Sequence, residues 1–406
     1  MKINYKNIYR FLVAALIVFT IPLSMMDNVL STYTSFNIPK VNSISALLFF
    51  IMLPFFFVYQ RFSKYRFSNK SFFLVFSIVI LYFVEIIVVI YHYDTVGYSS
   101  GQIKSAIEYH APIFLLQIMY IVIGFSFCHE FYGFVKKMVF VFFIFYLLIL
   151  FLYAVDFSIL KLFLVEEKIN YLFLGDMTAM MFMVFFSFSE NKKPLIFSLG
   201  LVVLFLITSR SSFYIYIISF CFYGLHCYWL GSRNKRLVMF SLIFIATSLF
   251  LLVGADSVLK HLDMDNYRVF RVFSDSDTSK MGRDIINHSG MQSIISNWFI
   301  GDFGGQVDMN LDGRGARWGQ YIHNFFSIWR QFGFVAFVIY SSMLGFLSFF
   351  TARVIMSRKS SQQTDLYILF AIFSIISVLM ARSYIFTSIY LFMGYFIAYN
   401  LKKVSD

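Results

Sequence analysis

Long apolar runs separated by short polar connections recur from one end of the chain to the other. They cover 8–26, 41–59, 71–92, 111–129, 138–155, 169–189, 194–209, 211–230, 237–254, 331–352, 365–381 and 384–401. A run of about 20 apolar residues crosses ~30 Å of hydrocarbon as a helix. Lipid leaves no partner for unpaired backbone groups, so each run is predicted to be helical. The short alternating segments of a membrane β-barrel are absent. The pattern predicts an all-α, polytopic integral membrane protein of about twelve transmembrane helices. One connection is much longer than the rest. It divides the chain into helices within 1–254, a partly helical outer loop over 255–330, and helices within 331–406. Loops of that length are uncommon and usually carry function.

Composition agrees with this reading. The 406 residues are 60% hydrophobic and 13% charged, against roughly 25% charged in soluble domains. Mean hydropathy is +0.75. The first run, FLVAALIVFTIPLSMM, is followed by no small-residue cleavage site and is read as an uncleaved first helix. Cys128, Cys221 and Cys227 lie in or near spans, away from the long loop. Neither a disulfide framework nor a zinc site is expected from them.

Charge sets the orientation. Alternate connections carry Arg61, Lys64, Arg66 and Lys70, then Lys136 and Lys137, Lys192 and Lys193, Arg233, Lys235 and Arg236, and Arg353, Arg358 and Lys359. Both termini are basic as well. The positive-inside rule places those connections and both termini in the cytoplasm, and 255–330 outside. Anionic inner-leaflet lipid is a sufficient partner for the net charge of +12, and no nucleic acid is needed to explain it.

Arginines on the opposite side are then informative. Arg210, in LITSRSSFY, and Arg382, in LMARSYIF, sit at hairpins with almost no loop. Snorkelling to lipid phosphates is the ordinary reading. The sharper one is a shared anion site, because a guanidinium is permanently charged and grips phosphate through a bidentate fork. The long loop adds Arg268, Arg271, Arg283, Arg314, Arg317 and Arg330. A solvated charged loop is the plain alternative there.

Within the loop, GRDIINHSGMQSIISNWF spaces Ile285, Met291, Ile294, Ile295, Trp298 and Phe299 as on one side of a helix. This predicts an amphipathic helix on the membrane or over a cavity. Arg283 and Asp284 are expected in its first turn, where free amides would favour an anion. Next, GDFGGQVDMNLDGRGARWG is glycine-rich, as mobile lids are. Asp308, Asn310 and Asp312 before Gly313 imitate the opening of a calcium loop, but Gly319 stands where a bidentate acid belongs. A turn-rich loop without metal is the preferred reading. His323 and Asn324 follow at the return to the membrane. The histidine is either a hydrogen-bonded structural group or a proton acceptor near neutral pH. Asp176 and Glu85 are acids inside spans, and such acids are functional suspects. Each either lines a wet cavity or neutralises an arginine.

The order of these elements resembles bacterial O-antigen polymerases of the Wzy type and the related O-antigen ligases. The matching residues are Ser209-Arg210 after a central helix, Gly282-Arg283 before an amphipathic segment, Asn297-Trp298-Phe299-Ile300-Gly301 through Gly304, and His323-Asn324 with Gly333 beyond. Arg271 is followed by ten residues and then Gly282, as in the RX10G pattern of some polymerases. The likeness in motif covers 208–333. The usual proline of the glycine element is absent, and Tyr321-Ile322 replace the polar pair that often precedes HN in ligases. The resemblance implies a GT-C-like glycosyltransferase of the bacterial inner membrane, acting at the periplasmic face without metal or cofactor. It implies an undecaprenyl-diphosphate-linked oligosaccharide as substrate and a chain-length regulator as candidate partner. It also implies a catalytic set of Arg210, Arg283, Arg382 and His323. Arg268, Arg271, Asp284, Arg314, Arg317, Asn324 and Asp176 would be substrate-binding. The rival readings are an O-antigen ligase, a flippase for the same lipid, and a structural or signalling membrane protein.

Overall fold

The computed structural model describes residues 5–33, 41–62, 65–97, 101–127, 132–155, 171–189, 193–207, 209–230, 278–304, 322, 324–357, 359 and 361–403. In chain order these form α1 (Tyr5–Val18), a π-helical turn (Phe19–Leu23), α2 (Ser24–Tyr33), α3 (Val41–Phe62), β1 (Tyr65–Arg66), α4 (Asn69–Val96), α5 (Gly101–Ser126) and α6 (Tyr132–Val155). Then come α7 (Tyr171–Ser187), α8 (Lys193–Leu206), α9 (Arg210–Leu230), α10 (Thr278–Ser296), α11 (Phe326–Met356), α12 (Gln362–Met380), α13 (Ser388–Tyr399) and β2 (Lys402–Lys403). Every apolar run except 237–254, which lies outside the described residues, forms a helix over most of its described length. Among the described residues six helical segments are long and apolar enough to cross a membrane: Asn7–Leu30, Asn69–Thr95, Ala106–Ser126, Arg210–Leu230, Phe326–Met356 and Gln362–Met380. The other apolar helices are shorter. Apart from the two-residue strands β1 and β2, the described elements are therefore all helical, and of membrane-spanning type.

Sequence periodicity explains which face each helix buries. On α4, Phe72, Phe76, Val79, Phe83, Ile86 and Ile90 are exposed, at alternating spacings of four and three. Leu74, Ile78, Leu81 and Val88 are buried on the opposite stripe. An exposed stripe this apolar fits lipid, which solvates it as well as protein would. Glu85 falls in register with the buried stripe and is 1% exposed, so it faces protein. In contrast, α12 is buried on all sides from Thr364 to Ile375, as expected of a helix at the centre of a bundle.

The closest crossing is between α5 and α13. A Cβ added at Gly124 would meet the Leu391 carbonyl, and one at Gly394 would meet the Ile121 carbonyl. Small residues let helix backbones approach in this way, which matters where no hydrophobic force drives helices together. Backbone carbonyls cannot step aside as side chains do. Gly124→Val or Gly394→Val is therefore expected to force the pair apart and lower stability by about 1–3 kcal/mol. The check is the thermal unfolding midpoint of detergent-purified protein; an unchanged midpoint would refute the close packing.

Two ion pairs, the first half-buried and the second fully buried, mark opposite ends of α12. Near its start, Lys193 Nζ lies 2.8 Å from Asp365 Oδ2, where the Tyr223 hydroxyl also donates at 3.1 Å. Just past its end, Arg382 meets Asp176. At 1.5 Å per residue the two are about 25 Å apart along the helix. The Lys193 end also holds Lys70 over the Phe350 ring and Arg353 over the Phe349 ring. Lys70, Lys193 and Arg353 thus gather at the end away from Arg382.

Candidate functional site

The site begins where α12 stops. Ala381 leaves helical geometry with φ −142° and ψ −8°. Residues 382–387 then run without regular helix before α13 starts at Ser388. Irregular backbone at membrane depth is tolerated only when protein surrounds it. Here Arg382 is 1% exposed, Ser383 3% and Tyr384 0%. The Tyr384 amide donates to Ser327 Oγ at 2.9 Å, which fixes the break to the start of α11.

Arg382 is held from two other helices. Its Nε donates to Asp176 Oδ2 and its Nη2 to Asp176 Oδ1, each at 2.9 Å. Nη1 donates to Ser211 Oγ at 2.7 Å and to the Ala381 carbonyl at 3.1 Å; Nη2 also reaches Ser212 Oγ at 3.0 Å. The Ser212 hydroxyl donates to Asp176 Oδ1 at 2.7 Å and is itself 2.7 Å from Ser209 Oγ. The approach of α7 to α9 requires Gly175, since a Cβ there would lie 2.6 Å from both serine hydroxyl oxygens. A guanidinium carries five N–H donors, and all of them face protein acceptors. This revises the sequence expectation of an open anion ligand: Arg382 is a brace, with no donor left over for a phosphate in this state. For Asp176 the geometry selects one of the two sequence readings, the neutralised arginine.

Arg210 lies inside the same knot. It is the first residue of α9 and is 9% exposed, between Ser209 and Ser211, whose hydroxyls belong to the brace network. The brace therefore fixes the turn that carries Arg210. The side chain of Phe386 completes this wall, its ring 5.1 Å from the Arg382 guanidinium carbon.

A roof joins from the long loop. The α10 helix runs into a turn that docks on α11. The Phe334 amide donates to the Phe299 carbonyl at 3.1 Å, and the Asp302 amide to the Arg330 carbonyl at 2.6 Å. Gly333 breaks α11 with φ +77°. A Cβ there would strike the Phe299 carbonyl, and one at Gly301, φ +85°, would meet Gln331 and Gly333 backbone. Both strain and contact penalise any side chain at Gly333. Gly333→Ala is expected to cost about 1–3 kcal/mol and to raise amide exchange across 290–304 selectively. Unaltered exchange there would show that the docking is not built on this glycine.

Two further expectations change, the anion-binding first turn and the start of α11. The amphipathic helix begins at Thr278, so the amides of Arg283 and Asp284 lie in its second turn, inside the hydrogen-bonded ladder. They are not free for an anion. Its apolar stripe is largely unpacked: Ile294 is buried, but Met291, Ile295, Trp298 and Phe299 are exposed. Asn324 Oδ1 accepts the Phe326 amide at 3.0 Å and caps α11, which starts five residues before its apolar run. The side chains of Arg283 and Asp284, and all of Arg268, Arg271, Arg314, Arg317 and His323, lie outside the described residues, as does the calcium-like run 308–319.

The structure also adds residues. Arg330 is 1% exposed and packs against α10, its Cδ 3.8 Å from where a Cβ on Gly290 would stand. His110, 1% exposed, pairs its Nδ1 with the Tyr384 hydroxyl at 3.1 Å and lies against Phe303 of the roof at 5.2 Å. From Tyr384 the network continues: Gln117 Nε2 donates to its carbonyl at 3.4 Å, and the Tyr82 hydroxyl donates to Gln117 Oε1 at 3.1 Å. In the sequence His110 showed only as the polar edge of a span, and Arg330 as one outer arginine among several. Among the described residues no cluster of metal-ligating side chains is present. The sequence matches no family model and no curated protein.

Proposed function

We propose that the chain is a polytopic glycosyltransferase of about twelve spans in the bacterial inner membrane. Both termini would be cytoplasmic and the reaction chamber periplasmic. In this reading it joins undecaprenyl-diphosphate-linked repeat units as an O-antigen-type polymerase. The observation that carries the proposal is the meeting of Asp176, Ser209, Ser211, Ser212 and Arg382 at the end of α12 away from Lys193.

The reaction breaks the bond between the donor's anomeric carbon and its phosphate oxygen. The acceptor's hydroxyl oxygen forms the new bond to that carbon, and its proton passes to His323. The departing diphosphate gains negative charge, so fixed cations stabilise the transition state more than the ground state. Arg210 and Arg283 are assigned this role. Arg382 acts through Asp176 and Ser211 as a positioning residue for the Arg210 turn. The diphosphate is a good leaving group, so no strong acid is needed to protonate it.

The test is reconstitution in liposomes with a lipid-linked repeat unit. Elongated glycan on the carrier is the expected product. If lipid A core is supplied and glycan moves to it without elongation, the polymerase assignment gives way to ligase. No transfer to either acceptor would overturn glycosyl transfer altogether.

A further inference from the structure

The C-terminal half of α10 is divided into three flanks. One is buried: Ile294, and Gly290, where an added Cβ would meet Ile322. The next is exposed and apolar. Met291 and Ile295, the latter 73% exposed, are continued into the following turn by Trp298 and Phe299. The last is exposed and polar: His288, Gln292 and Ser296 follow at intervals of four, with Gln292 Nε2 3.2 Å from His288 Nε2. A helix with water around its open side gains nothing by sorting those residues. A helix lying in a lipid surface does.

The apolar flank runs into the outward face of α11. The Trp298 ring lies 6.0 Å from that of Phe334, and Trp329 Nε1 donates to the Trp298 carbonyl at 2.7 Å. Phe334, Val335 and Val338 are exposed in turn, on a helix long and apolar enough to cross a membrane. Depth agrees. The Phe334 amide donates to the Phe299 carbonyl, so the two residues are level. From Phe334 to Arg353 α11 advances 19 residues, about 28 Å at 1.5 Å each, close to the ~30 Å of a hydrocarbon core. Trp298, Phe299 and Trp329 therefore stand at one boundary of the hydrocarbon, where aromatic rings collect.

We propose that Met291, Ile295, Trp298 and Phe299 are immersed in the interfacial zone of the bilayer, at the end of α11 away from Arg353. Lipid then holds the docked segment 288–304 at a fixed depth. A second copy of the chain, or another protein, would also cover an apolar patch. Lipid is favoured because the patch continues a membrane-facing span at the level where the hydrocarbon ends. The inference does not depend on glycosyl transfer.

The experiment places the photo-crosslinker p-benzoylphenylalanine at Ile295, and separately at Gln292, in the full chain within cell membranes. Both positions are exposed. Mass spectrometry is expected to find phospholipid adducts at Ile295 and none at Gln292. A protein adduct at Ile295 would overturn the proposal in favour of a second copy or a partner. Lipid adducts equal at both positions would overturn the division of the helix. Tryptophan fluorescence of the chain in nanodiscs gives an independent reading, the signal lost in Trp298→Phe being that of Trp298. That signal is expected to be quenched by lipids brominated high on the acyl chain, about 5–10 Å into the boundary between headgroups and chains, and to be shielded from aqueous iodide. Absence of any adduct at Ile295, or quenching by iodide in place of bromolipid, would show water on this flank and overturn the proposal.

Discussion

Arg382→Ala is expected to unfold or severely weaken the protein, by about 3–5 kcal/mol, because it strands a buried carboxylate. Asp176 is 1% exposed and takes Nε and Nη2 of the guanidinium at 2.9 Å each. Arg382→Lys is expected to fail nearly as badly, since an ammonium is a point charge and cannot span both carboxylate oxygens and two serines. Replacing both partners with leucine removes the uncompensated charge and is expected to lose less than the two single changes summed. Steric-trap or thermal unfolding across this double-mutant cycle measures the coupling. Additive losses would show that the pair is not a brace.

Arg210→Ala is expected to behave differently. Transfer is expected to fall by about 10²- to 10³-fold, as when one fixed donor to a developing anion is removed, beyond whatever the unfolding midpoint loses. Arg210→Lys should recover part of the rate, because charge is kept and the fork is lost. Arg283→Ala is expected to resemble it. The loss should fall mainly on kcat, since the interaction strengthens as the diphosphate departs. A loss confined to KM would assign Arg210 to ground-state binding.

The helices were legible because apolar length is a strong signal and backbone pairing in lipid leaves only the helix. What escaped was whatever depends on contacts. The first run reads as one helix, and only Pro22 hints at the π-turn that widens it between Phe19 and Leu23. The start of α11 was misplaced because Phe326–Arg330 are helical yet polar in part, held by the Asn324 cap and covered by α10 rather than by lipid. Arg210 and Arg382 stood out in the sequence as arginines at the edges of apolar runs. That Arg382 is spent on Asp176, 206 positions away in sequence, could not be read without the packing of α7 on α9. Glu85 illustrates the same limit from the other side. Its register on α4 points it inward, but the structure gives it tyrosines as neighbours instead of an arginine, with Oε2 lacking a partner.

The most direct test is a cryo-electron microscopy map of the chain with undecaprenyl diphosphate added. The expected map shows the diphosphate against Arg210, beneath the roof of 297–304, with the Arg382–Asp176 pair intact behind it. A diphosphate seated at the Lys193–Asp365 end, or density nowhere near Arg210, would contradict the proposed site.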